Sequence, residues 1–354
     1  MRWRALRDAL SIDTDCRVVE IECDRWRECC DTCIVTGGDP RDKSRATWYF
    51  ASAYCGDHAG QIARRLISSA VTTVVCSGLE THLYVSSLSR FPELRVIYDM
   101  HNVESPLFDA ISVDSGVPDP DLGLIKEAES LAVSTANDIW TCSDDDACLL
   151  SSIYPDISPE HIYVVPNVVP VGAAPLLPSV TPRRVCFTGH LWWYPNIVAV
   201  RLLAETITPL LRRRGFRAPV VVGGREPSRD VIKLCQAADI ELIVNPDSTR
   251  DLIADSIMAV PLTLGGGTRL KALEAFALGA PLVSTSKGVE GLKIRPEFHY
   301  LKAELAEEFV SAIIRLTHEP DLRDQVVTQA WRAVRDHYSV STLRVALAKA
   351  LGWS

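Results

Sequence analysis

Short runs of β-branched and aromatic residues alternate along this chain with longer stretches whose apolar positions recur every three to four residues. That alternation predicts parallel strands joined by crossover helices. In the first half, strands are expected at 17–21, 73–76, 95–98, 138–141 and 162–165. The pattern then lapses between 168 and 182, where Pro170, Pro175, Pro178 and Pro182 suit neither element and mark a linker. It restarts at 184–187 and continues through 220–222, 241–244, 257–260 and 282–284. A closing helical tract, 305–351, is broken near Pro320 and Ser339.

This pattern divides the chain into an α/β domain at 1–166, a linker at 167–182 and a second α/β domain at 183–335. A C-terminal helix at 336–354 is expected to pack back toward the first domain. Parallel sheets of this kind bind ligands at the carboxyl ends of their strands, so two such edges would form one central cleft.

The sharpest chemical signal lies at 260–274, where an apolar strand gives way to Gly265, Gly266 and Gly267 and then to a helix. Glycines lack a Cβ, so their N–H groups approach a ligand closely and tolerate positive φ. Thr268 is expected to cap the helix, whose first turn carries Arg269 and Lys271 and offers free N–H groups to an anion. Glu274 stands one turn beyond Lys271 on the same face. A cation beside a phosphate and a carboxylate beside a ribose diol is one reading of that pair. A solvated Lys–Glu pair on a surface βαβ unit is the other. Gly279 then ends the helix before the strand at 282–284.

Composition narrows the classes. The 354 residues are 47% hydrophobic and 23% charged, with a formal net charge of −8, which fits a two-domain globular protein and disfavours a nucleic-acid surface. No apolar run reaches the ~18 residues of a membrane span, and Met1-Arg2-Trp3-Arg4 does not open a signal peptide, so a cytoplasmic location is expected. Eleven scattered cysteines suit reduced thiols. Cys29, Cys30 and Cys33 have zinc-like spacing, but no second ligand pair follows, and free thiols are the expectation.

Several strings resemble the group 1 glycosyltransferases, the retaining family numbered four, which has the GT-B fold of two Rossmann-like domains facing a cleft. They are Val164-Val165-Pro166-Asn167-Val168-Val169, Cys186-Phe187-Thr188-Gly189-His190-Leu191 with Pro195-Asn196, and Val220-Val221-Val222-Gly223-Gly224-Arg225. The most specific is the segment from Lys271 to Val283, followed by Gly288-Val289-Glu290-Gly291-Leu292. Together they are most similar to sugar transferases of exopolysaccharide or lipid-linked glycan assembly.

The resemblance implies a nucleotide-diphosphate-sugar donor, a hydroxyl acceptor, no metal and no cofactor. A lipid-linked acceptor would add contact with a membrane surface. Glu274 would hold the ribose, while Lys271 and Arg269 would face the diphosphate. Asn245 and Asp247 would flank the base. Gly189, His190, Gly224, Arg225, Gly265, Gly266, Gly267, Thr268 and Glu290 would complete the donor site. On the acceptor side, the string from Asp99 to Ser105 follows a strand, which nominates His101 as the contact near the reacting carbon, oriented by Asp99. Glu104 and His82 are lesser candidates.

Departures from the family pattern carry expectations of their own. Gly266 stands eight residues before Glu274, where the signature has its first Glu. His190 and Asn196 replace the usual Arg and Lys. Residues 1–10 already read as the family's arginine-bearing helix, so the preceding strand and glycine turn are expected to be missing. A catalytically impaired donor-binding or partner subunit is therefore an alternative, and a UDP-sugar 2-epimerase another. A GT-A metal site at Ser143-Asp144-Asp145-Asp146 competes with a simpler account, a Ser143 cap with acids in the first helical turn.

Overall fold

The computed structural model describes residues 2–11, 56–119, 121–172, 182 and 184–353. The strand expected at 17–21, the cysteines from Cys16 to Cys33 and most of the linker lie outside the described residues. The chain forms two units, 1–166 together with 346–354, and 167–345.

The first unit contains α1 (Arg2–Ser11), α2 (Gly56–Ser68), β1 (Thr73–Ser77), α3 (His82–Leu88), β2 (Arg95–Asp99), α4 (Glu104–Ser115), α5 (Leu122–Thr135), β3 (Asp138–Thr141), α6 (Asp144–Ile153) and β4 (Ile162–Val164). Its strands are all parallel in the order β1-β2-β3-β4. Crossover helices cover such sheets, so β2 and β3 read as unbroken apolar runs: Val96, Ile97, Tyr98, Ile139 and Trp140 are buried. The C-terminal residues belong here too, where Arg95 donates to Ala350 O at 2.8 Å. Ser143 caps α6 by accepting from Asp146 N at 3.0 Å, with three acids in the first turn. That is the simpler account of the acidic string. Among the described residues no group of acids, histidines and cysteines is placed to hold a metal.

The second unit contains β5 (Arg184–His190), α7 (Tyr194–Leu202), α8 (Thr208–Arg213), β6 (Val220–Arg225), α9 (Arg229–Ala237), β7 (Glu241–Val244), α10 (Arg250–Ile253), β8 (Ser256–Val260), α11 (Leu270–Ala277), β9 (Leu282–Ser284), β10 (Leu301–Lys302), α12 (Ala306–His318), α13 (Pro320–His337) and α14 (Val340–Leu351), the last running into the first unit. A π-helical turn, Leu203–Ile207, joins α7 to α8 because Pro209 has no N–H and crowds the carbonyl four residues back. Thr208 N reaches Leu203 O instead.

The second unit's six strands among the described residues are parallel in the order β10-β9-β8-β5-β6-β7. This is the doubly wound order of dinucleotide-binding folds, whose chain reverses direction between β5 and β8. Two helices leaving neighbouring strands in opposite directions open a crevice at that point. Gly189 lies near the end of β5 and Gly265, Gly266 and Gly267 follow β8, so the topology itself brings these glycines to one edge. Beneath them Phe187, Met258, Val260, Leu273 and Phe276 form part of one buried core.

Candidate functional site

The helix α11 forms from strong helix formers in the sequence LKALEAFA and buries Ala272, Leu273, Ala275, Phe276 and Ala277. It ends at Gly279, φ 70°, in a Schellman motif: Gly279 N donates to Phe276 O and Ala280 N to Ala275 O. Its start corrects the sequence reading. The helix begins at Leu270 rather than after a Thr268 cap, with Arg269 in the N-cap position and no side-chain cap. The preceding loop uses left-handed backbone at Gly265, φ 138°, and Gly267, φ 64°, which glycine alone tolerates cheaply.

Lys271 and Glu274 occupy the half-buried face of the helix. The Lys271 ammonium donates to Asn196 Oδ1 at 2.7 Å and lies 4.1 Å from the centre of the Phe187 ring. Burial, with Arg269 nearby, pushes Lys271 down to about 7, against the pull of Glu274. Burial raises Glu274, against the pull of Lys271. Asn196 reaches Lys271 because Gly189 lets it: a Cβ on Gly189 would stand 2.8 Å from the Asn196 amide nitrogen. The same amide donates to His190 O at 2.9 Å. One amide on α7 thus ties the end of β5 to the first turn of α11.

Arg269 turns inward. Its guanidinium donates to Gly266 O, to Lys287 O at 2.8 Å and to Glu290 at 3.0 Å. Glu290 also accepts from Lys287 at 2.7 Å. In this arrangement Arg269, held by Glu290, braces the glycine loop, while Lys271 directs its ammonium to Asn196. Arg225 ends β6, paired with His190 of β5, while Asn245 and Asp247 follow β7. Arg225 and Asp247 are exposed, while Asn245, φ 50°, accepts from Glu226 N at 3.0 Å and shapes the turn after β6. Gly224 pairs with Gly189, and a Cβ there would run into Gly189 O.

In the first unit, Asp99 is fully buried at the end of β2 and accepts from Arg2 at 2.6 and 2.9 Å. Burial alone would raise its carboxyl. The Arg2 guanidinium, with His101 assisting, outweighs that and holds it well below the usual carboxylate range. Ser77 Oγ donates to Asp99 Oδ2 at 2.8 Å and lies 2.9 Å from His101 Nε2. Asp99 therefore orients His101 through Ser77, its own oxygen being 3.7 Å from the ring nitrogen. His82 is buried at the start of α3 with Nδ1 on Leu79 O, a core histidine whose charged form burial disfavours. The sequence alone assigns no role in a site to Arg2, Ser77 or Phe187, and it presents Asn196 as part of a motif and as a departure from the family's Lys.

Residues 182–319 match the family model of glycosyl transferases group 1. The segment covers the second unit's sheet and its glycine loop. No curated protein matches the chain. Among solved structures, S. aureus TarM, in complex with Fondaparinux, alpha-GlcNAc-glycerol and UDP, is 15% identical with a TM-score of 0.64, over 83% of this chain and 58% of that one. The chain thus spans little more than half the length of TarM. Anabaena HepE in complex with UDP-glucose is 13% identical, TM-score 0.64, over 83% of this chain and 81% of its own. Sucrose-phosphate synthase from Thermosynechococcus elongatus is 11% identical, TM-score 0.68, over 87% and 79%. At these identities the likeness is one of fold, to the GT-B glycosyltransferases.

Glu104 has an unusual setting beside His101. It is buried, Asn102 Nδ2 donates to its Oε1 at 3.0 Å, and its Oε2 has no hydrogen-bond partner among the described residues. The Glu129 carboxylate caps α4 by accepting from Glu104 N and Ser105 N. Burial, opposed by the Asn102 amide and reinforced by Glu129, pushes Glu104 up to about 7. A carboxyl raised on folding stabilises below its unfolded value, near 4.5, and that contribution is lost as pH rises to about 7. Glu104→Gln is expected to stabilise the protein by about 2 kcal/mol at pH ~8 and to change little at pH ~4. Melting temperatures at the two pH values check this; an equal shift at both would exclude ionisation as the cause.

Proposed function

We propose that the chain is a retaining, metal-independent glycosyltransferase that takes its sugar from a nucleotide diphosphate donor and passes it to a hydroxyl acceptor. The observation that carries this reading is Lys271, a desolvated amine held by Asn196 at the reversal point of a doubly wound sheet, beside a glycine loop and one helical turn from Glu274. Lys271 meets the diphosphate, whose leaving oxygen gains charge as the sugar C1–O bond breaks. Glu274 takes the ribose hydroxyls, and Gly189 and the loop 265–267 admit the phosphates to backbone N–H groups. Retention follows if the acceptor attacks from the face the phosphate leaves, with the departing phosphate oxygen accepting the acceptor's proton. His101 is the proposed contact with the acceptor. Glycan assembly is the setting that the sequence resemblance supports.

Thermal shifts with UDP, GDP, ADP and dTDP identify the base, since a ligand of the folded state alone raises the melting temperature. Transfer that persists in EDTA supports a metal-free mechanism. Sugar isomerised without acceptor would replace transfer by epimerisation, and donor binding without turnover across an acceptor panel would leave a binding subunit.

Lys271 also sets a pH dependence. A bound diphosphate favours the ammonium form, so above pH 7 binding must take up a proton. Nucleotide affinity is expected to fall by up to about tenfold per pH unit above 7. Calorimetric titration between about pH 7 and 9 in two buffers of different ionisation heat reads both the affinity and the proton; a flat profile with no proton uptake contradicts it.

A further inference from the structure

We infer that Ser77 is a positioning residue that fixes the tautomer of His101, so that the neutral ring carries its hydrogen on Nε2 and presents Nδ1 as the acceptor. The inference deepens the proposed role of His101 and rests on it for its functional consequence.

Parallel pairing puts Ser77 and Asp99, the last residues of β1 and β2, side by side in register. Asp99 lies buried against Arg2, three of whose side-chain hydrogen bonds end on its two oxygens. A carboxylate so paired stays ionised and can only accept. The Ser77 hydroxyl has one hydrogen, and Asp99 Oδ2 at 2.8 Å takes it. What Ser77 has left for His101 Nε2, 2.9 Å away, is a lone pair. The ring nitrogen must then be the donor, because two acceptors facing each other at that distance would repel. Direct donation from Nε2 to Asp99 is excluded by their 3.7 Å separation. The remaining nitrogen, Nδ1, belongs to a side chain 44% exposed and is available to accept from a substrate hydroxyl.

This order of hydrogens follows from the cation at the far end. Arg2 keeps Asp99 an acceptor, Asp99 turns Ser77, and Ser77 turns the imidazole. A serine at the end of a strand neighbouring the histidine's strand thereby decides which kind of group the ring offers: Nδ1 as a lone pair binds a hydroxyl hydrogen, whereas Nδ1–H would bind a hydroxyl oxygen.

The test is the ring itself. In protein labelled with 15N-histidine at about pH 8.5, two units above the usual imidazole value, His101 is expected to show a protonated Nε2 and a bare Nδ1. A His101→Gln variant assigns its signals. Ser77→Ala should shift the ring toward a mixture of tautomers and lower kcat about tenfold with the donor KM unchanged, the loss expected for one misdirected hydrogen bond. Ser77→Thr, which keeps the hydroxyl, should restore both the spectrum and the rate. An Nδ1–H ring in the parent protein overturns the inference, as does an unchanged spectrum in folded Ser77→Ala. If the spectra are as expected but His101→Gln transfers sugar at the full rate, the tautomer assignment stands and the substrate contact proposed for His101 falls.

Discussion

Lys271→Ala is expected to lower kcat/KM for the donor by about 1000-fold, the scale of removing a preorganised charge from a developing oxyanion. Arg269, the cation two positions before it, is tied to Gly266, Lys287 and Glu290, whereas the ammonium donates to Asn196. Arg269 cannot replace it without dismantling that brace. Glu274→Ala should act differently, raising KM for the nucleotide more than it lowers kcat, because a ribose contact is the same before and during transfer. Initial rates over a donor series separate the two, with circular dichroism confirming that the variants fold. A Lys271→Ala enzyme that keeps a tenth of the parent rate would remove the residue from the diphosphate. Asn196→Ala should fall between, because it frees the amine rather than deleting it.

Gly224→Ala is expected to destabilise the second unit by about 3 kcal/mol or more. A methyl there meets the Gly189 carbonyl and Leu191, and two backbone segments joined by ladder pairing cannot part to admit it. The melting temperature of that transition should drop by roughly 10 °C for a unit of this size. Gly123→Ala, where a methyl meets nothing within 4 Å, is the control and should leave the transition in place. Equal melting of the two variants would mean that the β5 and β6 ends are looser than their pairing implies.

Much of this architecture was legible in the chain because strands covered on both faces must be apolar throughout. The stretches 138–141 and 282–284 coincide with β3 and β9, whose residues are all buried. The breaks near Pro320 and Ser339 separate α12, α13 and α14. Local signals failed where long-range partners decided. The pattern of cations read as a pair facing phosphate, yet Glu290, distant in sequence, turns Arg269 inward. Thr268 had the chemistry of a cap, but the loop's own bonding starts the helix at Leu270. Asn196 and Lys271 are 75 positions apart, and only the strand order makes them neighbours. Ser77 lay one residue past the predicted end of its strand, where the pairing of β1 with β2 gives it a role that no local motif announces.

The inward turn of Arg269 has a thermodynamic consequence. Three successive glycines form the most freely jointed stretch a chain can have, and ordering them for a ligand would consume much of the affinity gained. Here a guanidinium fastens them while the chain folds. On the function proposed above, a nucleotide arriving at this rim would meet a receptacle already cast, and severing the Arg269–Glu290 link should weaken capture by slowing arrival in the right shape rather than by subtracting a contact.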